Sequence, residues 1–105
     1  MKRKVLIVVS NYYEDIANAL LTNTKKFLNK KITFNIIKVP GVFEIPIIIS
    51  KNINKFDGFV AIGCVIKGKT AHFDLISKSV IDAIMNLSIN SKKPVGNCIL
   101  TCFNY

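Results

Sequence analysis

The run Lys4-Val5-Leu6-Ile7-Val8-Val9 limits this chain's possible folds more than any other segment. A half-solvated strand alternates apolar with polar residues, and an amphipathic helix keeps a polar face. This run does neither. It is continuous, short and rich in β-branched side chains, which suits a strand buried on both faces, as in a parallel sheet. Parallel strands need crossover connections long enough to hold helices, and the rest of the chain supplies them.

Ser10-Asn11 follow as turn or capping residues. Ile16, Ala17, Leu20, Leu21, Thr24, Phe27 and Leu28 then recur at helical spacing. Lys25, Lys26, Lys30 and Lys31 lie toward the carboxyl end of that helix, where cations complement its dipole. Ile32 to Val39 reads as a second strand, broken by Pro40-Gly41. The segment Phe43 to Ile53 has isoleucines that favour strand, but Pro46 would remove a ladder donor and is tolerated in a helix's first turn, so it reads as helix. After Asp57-Gly58, Phe59 to Gly63 is a third strand. An amphipathic helix from Thr70 or Ala71 to about Asn90 comes next, and Val95 to Thr101 is a fourth strand. The order β-α-β-α-β-α-β defines an α/β fold with a parallel sheet and helices on both faces. A last helix beyond the fourth strand is expected in a doubly wound fold, and the chain stops at Tyr105 without one.

At 105 residues the chain is most simply one domain, 1–105. No segment has the apolar length of a membrane span, and the amino terminus lacks the apolar stretch of a signal peptide. A cytoplasmic protein with no membrane partner is the expectation. Cys64, Cys98 and Cys102 do not pair as metal ligands and read as reduced, structural thiols. The net charge of +9 invites a nucleic-acid reading. Only Arg3 is an arginine, however, and the lysines are scattered along the chain without a base-stacking cluster. No nucleic-acid partner is expected, whereas attraction to small anions remains reasonable.

Ligands of open α/β sheets bind beyond the carboxyl ends of the strands. Ser10 to Tyr13, Pro40 to Glu44, Cys64 to His72 and the segment from Cys102 onward fall there. Read singly, Tyr12 and Phe43 are edge-of-core aromatics, Glu44 favours a helix amino terminus, and Lys67 and Lys69 are solvated loop residues. Read together, they place aromatics, a carboxylate, a phosphate-type turn at Lys69-Thr70 and the chain's single histidine, His72, at one rim. An unperturbed imidazole, with a pKa of roughly 6.5, gives and takes a proton near neutral pH. There is no nucleotide-binding glycine motif and no metal-ligand cluster.

Taken together, these residues resemble the lumazine synthase family. Val39 to Pro46 matches its Pro-Gly-x-Phe-Glu-x-Pro segment, and Gly63 to Asp74 its Gly-x-Val-Ile-Arg/Lys-Gly-x-Thr-x-His-Phe/Tyr-Asp segment. Pro94 to Thr101 resembles its fourth strand, so the similarity runs from about Lys4 to Thr101. The resemblance implies a three-layer flavodoxin-like fold with a four-stranded parallel sheet, lacking the family's carboxyl-terminal helices and the phosphate-binding arginine they carry. It also implies condensation of 5-amino-6-(D-ribitylamino)uracil with 3,4-dihydroxy-2-butanone 4-phosphate. The product is 6,7-dimethyl-8-ribityllumazine, released with phosphate and water in riboflavin biosynthesis, and no cofactor takes part.

By the same resemblance, Tyr12 stacks on the pyrimidine, and Val42, Phe43 and Glu44 contact its uracil and ribityl parts. The backbone of Cys64, Val65 and Ile66 reads the pyrimidine edge. Lys69 and Thr70 bind phosphate, and His72 transfers protons. Asn97 stands where the family often has an aromatic that serves a neighbouring subunit, in homo-oligomers that are pentamers or larger shells. The chain departs from the family in Asn11-Tyr12-Tyr13, where Arg-Phe-Asn is usual. A catalytically impaired remnant of the fold and a small basic anion-binding protein are the competing readings.

Overall fold

The apolar run at the amino terminus forms the heart of a sheet because both of its faces find cover. In the computed structural model, which describes residues 3–28, 31–66 and 73–102, it becomes β1 (Arg3–Ser10), with Leu6, Ile7 and Val8 fully buried. The remaining elements, in chain order, are α1 (Glu14–Phe27), β2 (Ile32–Val39), a 3-10 turn (Val42–Glu44) and α2 (Ile45–Lys51). They are followed by β3 (Gly58–Ile66), α3 (Phe73–Ser91) and β4 (Val95–Cys102). All three strand pairings are parallel, and the sheet order is β2-β1-β3-β4. This is the flavodoxin-like order over its first four strands.

Strand side chains alternate between faces, and the sheet divides the core accordingly. Leu6, Val8, Ala61, Val65 and Ile99 pack against Ile45 and Ile49 of α2 and Val80 and Ile84 of α3. Ile7, Val9 and Ile62 pack against Ala17 and Leu21 of α1. The expected three layers are therefore present. Glu14 and Asp15 in the first turn of α1 and Lys25 and Lys26 in its last both complement the helix dipole.

The structure corrects two element boundaries. The helix read over Phe43 to Ile53 is split: Val42–Glu44 winds as a 3-10 turn, and α2 proper begins at Ile45, with Pro46 in its first turn. It stops at Lys51 because Asn52 takes over the end, its Nδ2 donating to the Ile48 carbonyl at 2.8 Å and its backbone N–H to that of Ile49 at 3.0 Å. The third strand does not end at Gly63. It runs to Ile66 because β4 offers partners as far as Cys102, pairing Cys64 with Leu100, Val65 with Thr101 and Ile66 with Cys102.

At the amino rim of the sheet, Lys4 N–H donates to Asp57 Oδ2 and Asp57 N–H to the Lys4 carbonyl, both at 2.8 Å, which ties the start of β1 to that of β3. The turn between α3 and β4 uses a left-handed residue, Lys92, with φ 61°. Ser91 Oγ accepts the next N–H, from Lys93, at 3.1 Å, and Ser88 Oγ donates to the Lys93 carbonyl at 2.8 Å. No helix among the described residues is long and apolar enough to cross a membrane.

Candidate functional site

Three segments meet at the carboxyl rim. β1 ends in Ser10, which is buried, and Asn11 N–H donates to the Val39 carbonyl at 3.1 Å, drawing the ends of β1 and β2 together. Beyond that tie the chain turns outward. Tyr12 is 69% exposed and meets Tyr13 edge-on, with ring centroids 4.9 Å apart at 82°. Tyr13 opens α1, its carbonyl accepting Ala17 N–H at 2.9 Å. An exposed aromatic braced by a second ring is suited to stacking on a planar ligand.

The turn after β2 is built in alternation. Val42 is buried while Phe43 next to it is 64% exposed. Glu44 is half-buried. The turn is closed by Glu44 N–H donating to the Gly41 carbonyl at 3.2 Å and by Ile45 N–H donating to the Val42 carbonyl. The Glu44 carboxylate folds back over Gly41, with both oxygens 3.5–3.6 Å from where a Cβ would stand on that glycine. Val42 and Ile45, both buried, pin the turn to the core.

Cys64, Val65 and Ile66 were placed by the sequence in a connecting segment, and they are instead the buried last residues of β3. This changes how they reach a ligand. The pairing of β1 with β3 ends at Val9 with Ile62, whereas that of β3 with β4 continues to Ile66. The backbone of Cys64 to Ile66 thus runs past the end of β1, and one edge of it faces the space above Ser10. Their side chains pack inside, so it is the backbone of this stretch that can address a ligand.

Asn97 is not at this rim. It lies within β4 opposite Ala61, and its Oδ1 accepts Ile99 N–H at 3.0 Å. Ala61 in turn pairs with Val8, so Asn97 is level with a residue two short of the β1 end at Ser10, about 7 Å along the strand direction. Lys69, Thr70 and His72 lie outside the described residues. Neither Cys64 nor Cys98 is disulfide-bonded. Among the described residues there is no group of three or more His, Cys, Asp or Glu side chains placed to hold a metal.

One residue that matters to this geometry had no role assigned from sequence. Gly63 lies on β3 directly beneath Val42, close to Ser10. A glycine inside a strand often marks close approach by another backbone or side chain, and that signal was available in the motif.

The fold is a flavodoxin-like α/β sheet whose carboxyl rim carries two exposed aromatics and a half-buried carboxylate, an arrangement suited to a small planar ligand. The family profile described as 6,7-dimethyl-8-ribityllumazine synthase matches residues 2–105. The chain is 40% identical over 111 residues to the 6,7-dimethyl-8-ribityllumazine synthase of Agrobacterium fabrum, an alignment covering 98% of this chain and 75% of that protein. It is 42% identical over 108 residues to the protein of the same name from Bartonella henselae, covering 98% and 70%. The chain belongs to the 6,7-dimethyl-8-ribityllumazine synthase family.

Proposed function

We propose that this chain condenses 5-amino-6-(D-ribitylamino)uracil with 3,4-dihydroxy-2-butanone 4-phosphate to form 6,7-dimethyl-8-ribityllumazine, releasing phosphate and water. The observation that carries the reading is that an exposed Tyr12, an exposed Phe43 and the half-buried Glu44 stand around the same strand ends. A flat, hydrogen-bonding pyrimidine with a polyhydroxyl chain is the ligand that such a set fits: rings on the aromatics, hydroxyls on the carboxylate, and the uracil edge along the Cys64 to Ile66 backbone.

Two C–N bonds form overall. An amine nitrogen attacks the ketone carbon and one water leaves; phosphate leaves as a neighbouring carbon loses its proton, and the resulting enol becomes a carbonyl; the second amine attacks that carbonyl and closes the ring as a second water leaves. The sum is redox-neutral and needs no electron carrier. Most of the acceleration comes from holding the two substrates in reacting geometry. In this reading His72 moves the protons, and Lys69 and Thr70 hold the phosphate until it departs.

The proposed setting is the cytoplasm, and the proposed working state is a homo-oligomer, a pentamer or a larger shell, in which Asn97 serves a neighbouring subunit's site. Its place on the edge strand β4, two strands away from β1, supports that. So does an apolar groove of about 410 Å³ between α2 and α3, lined by Phe43, Pro46, Ile47, Val80 and Leu87 among others. Sedimentation velocity tests the assembly, and a monodisperse monomer would contradict it. The reaction is tested by mixing the purified chain with both substrates and following lumazine fluorescence. A rate no higher than the uncatalysed one at high protein concentration would sink the reading.

A further inference from the structure

Gly63 does not use the backbone freedom for which glycine is usually kept, because no glycine among the described residues has positive φ. What it supplies is space. A Cβ on Gly63 would stand 2.5 Å from Val42 Cγ1, 3.3 Å from Ser10 Cβ and 3.8 Å from Ile45 Cδ1. Carbon atoms rest at roughly 3.5–4.0 Å, so Val42 would have to retreat by about 1 Å or more. It has little room for that retreat. Val42 is 6% exposed, Ile45 is fully buried, and Ser10 closes the side toward β1. Close-packed surroundings of this kind transmit a displacement instead of absorbing it. Val42, Phe43 and Glu44 form one 3-10 turn, so whatever moves Val42 moves the other two.

We propose that Gly63 is a positioning residue for the pyrimidine: its missing side chain seats Val42 against β3, and the seated turn fixes Phe43 and Glu44 at the rim. The inference rests on reading Val42 to Glu44 as pyrimidine contacts. It assigns Gly63 no contact with substrate. Its effect is specific to the pyrimidine because that turn belongs to the pyrimidine's half of the site.

The test compares Gly63→Ala, Val42→Ala and the double variant by two readouts: the backbone amide NMR signals of Val42, Phe43 and Glu44, and the KM for each substrate. Gly63→Ala is expected to shift the three signals and raise the pyrimidine KM roughly tenfold to a hundredfold, the scale of an ångström-sized misplacement, with the KM for butanone phosphate changing by no more than about twofold. Val42→Ala removes the methyl groups that collide. The double variant is therefore expected to return both readouts to those of Val42→Ala alone, a coupling between touching residues.

Unmoved amide signals, equal rises in both KM values, or a double variant no better than Gly63→Ala would each overturn the proposal. Should Gly63→Ala fail to fold, the double variant decides: it must fold and match Val42→Ala. Should the wild-type chain show no turnover, it is the functional reading that falls, and the amide signals alone still decide whether Gly63 sets the turn.

Discussion

The amide oxygen of Asn97 accepts the backbone N–H of Ile99, two residues further along β4, at 3.0 Å. β4 is an edge strand, and this N–H is turned away from β3. Left open, such groups invite pairing with another chain. The side chain therefore blunts the edge from within. Asn97→Ala should lower the unfolding free energy by about 0.5–1.5 kcal/mol, the net worth of one hydrogen bond, and should increase concentration-dependent association. Urea unfolding and light scattering at several protein concentrations check the two effects.

Lys93 contributes in a different way. Its Nζ donates to the carbonyls of Ile53 at 2.5 Å and Phe56 at 2.8 Å, clamping the loop before β3 to the turn before β4. Lys93 is half-buried. Replacing it with methionine keeps the apolar stem but strands both carbonyls. Hydrogen bonds from a charged donor are worth roughly 1.5–3 kcal/mol. Lys93→Met should cost stability within that range, with the urea midpoint falling and the slope unchanged.

How much of this was legible beforehand depended on whether a residue's environment was set locally. The run at Lys4 to Val9 announces a doubly buried strand by composition alone, and the fold obeys it. The end of β3 was not legible, because Cys64 to Ile66 become strand only when β4 arrives beside them, some 35 residues later. Charge placement was hidden for a related reason. The lysines look scattered along the sequence, yet Lys25, Lys26 and Lys31 flank the turn into β2, and Lys51 and Lys55 flank the loop into β3. Every αβ connection enters the sheet at its amino end, so the fold gathers these cations on the rim opposite the candidate site, and the carboxyl ends of the helices favour them there. At the rim, Tyr12, Phe43 and Glu44 follow the ends of β1 and β2, the positions read for them from the strand boundaries. The packing of Val42 on Gly63 was not legible, since it depends on a close approach between β3 and a turn that precedes it by some 20 residues.

The proton-transfer role proposed for His72 makes a separate prediction. General acid–base assistance contributes roughly 100- to 10,000-fold. His72→Ala should lower kcat within that range and leave the pyrimidine's affinity nearly unchanged, because the contacts proposed for the pyrimidine come from other residues. Steady-state lumazine formation with each substrate varied in turn separates the two effects. An unchanged kcat would remove His72 from the mechanism.

Tyr12 and Phe43 offer the cleanest separation of function from stability. Both rings are more than half exposed, at 69% and 64%, so removing either takes little apolar area from the core. Folding free energy should therefore change by no more than about 0.5 kcal/mol, as for surface substitutions generally. Binding should respond far more. Stacking of a base on an aromatic side chain is worth roughly 1–3 kcal/mol, equivalent to about a 5- to 150-fold loss of affinity. Tyr12→Ala and Phe43→Ala are each expected to raise the pyrimidine's dissociation constant on that scale while the thermal midpoint stays in place. Tyr12→Phe should bind nearly as the wild type does, because the ring and not the hydroxyl supplies the stacking face. If Tyr12→Ala instead unfolds the protein without weakening binding in the folded fraction, the ring belongs to the core and not to the site.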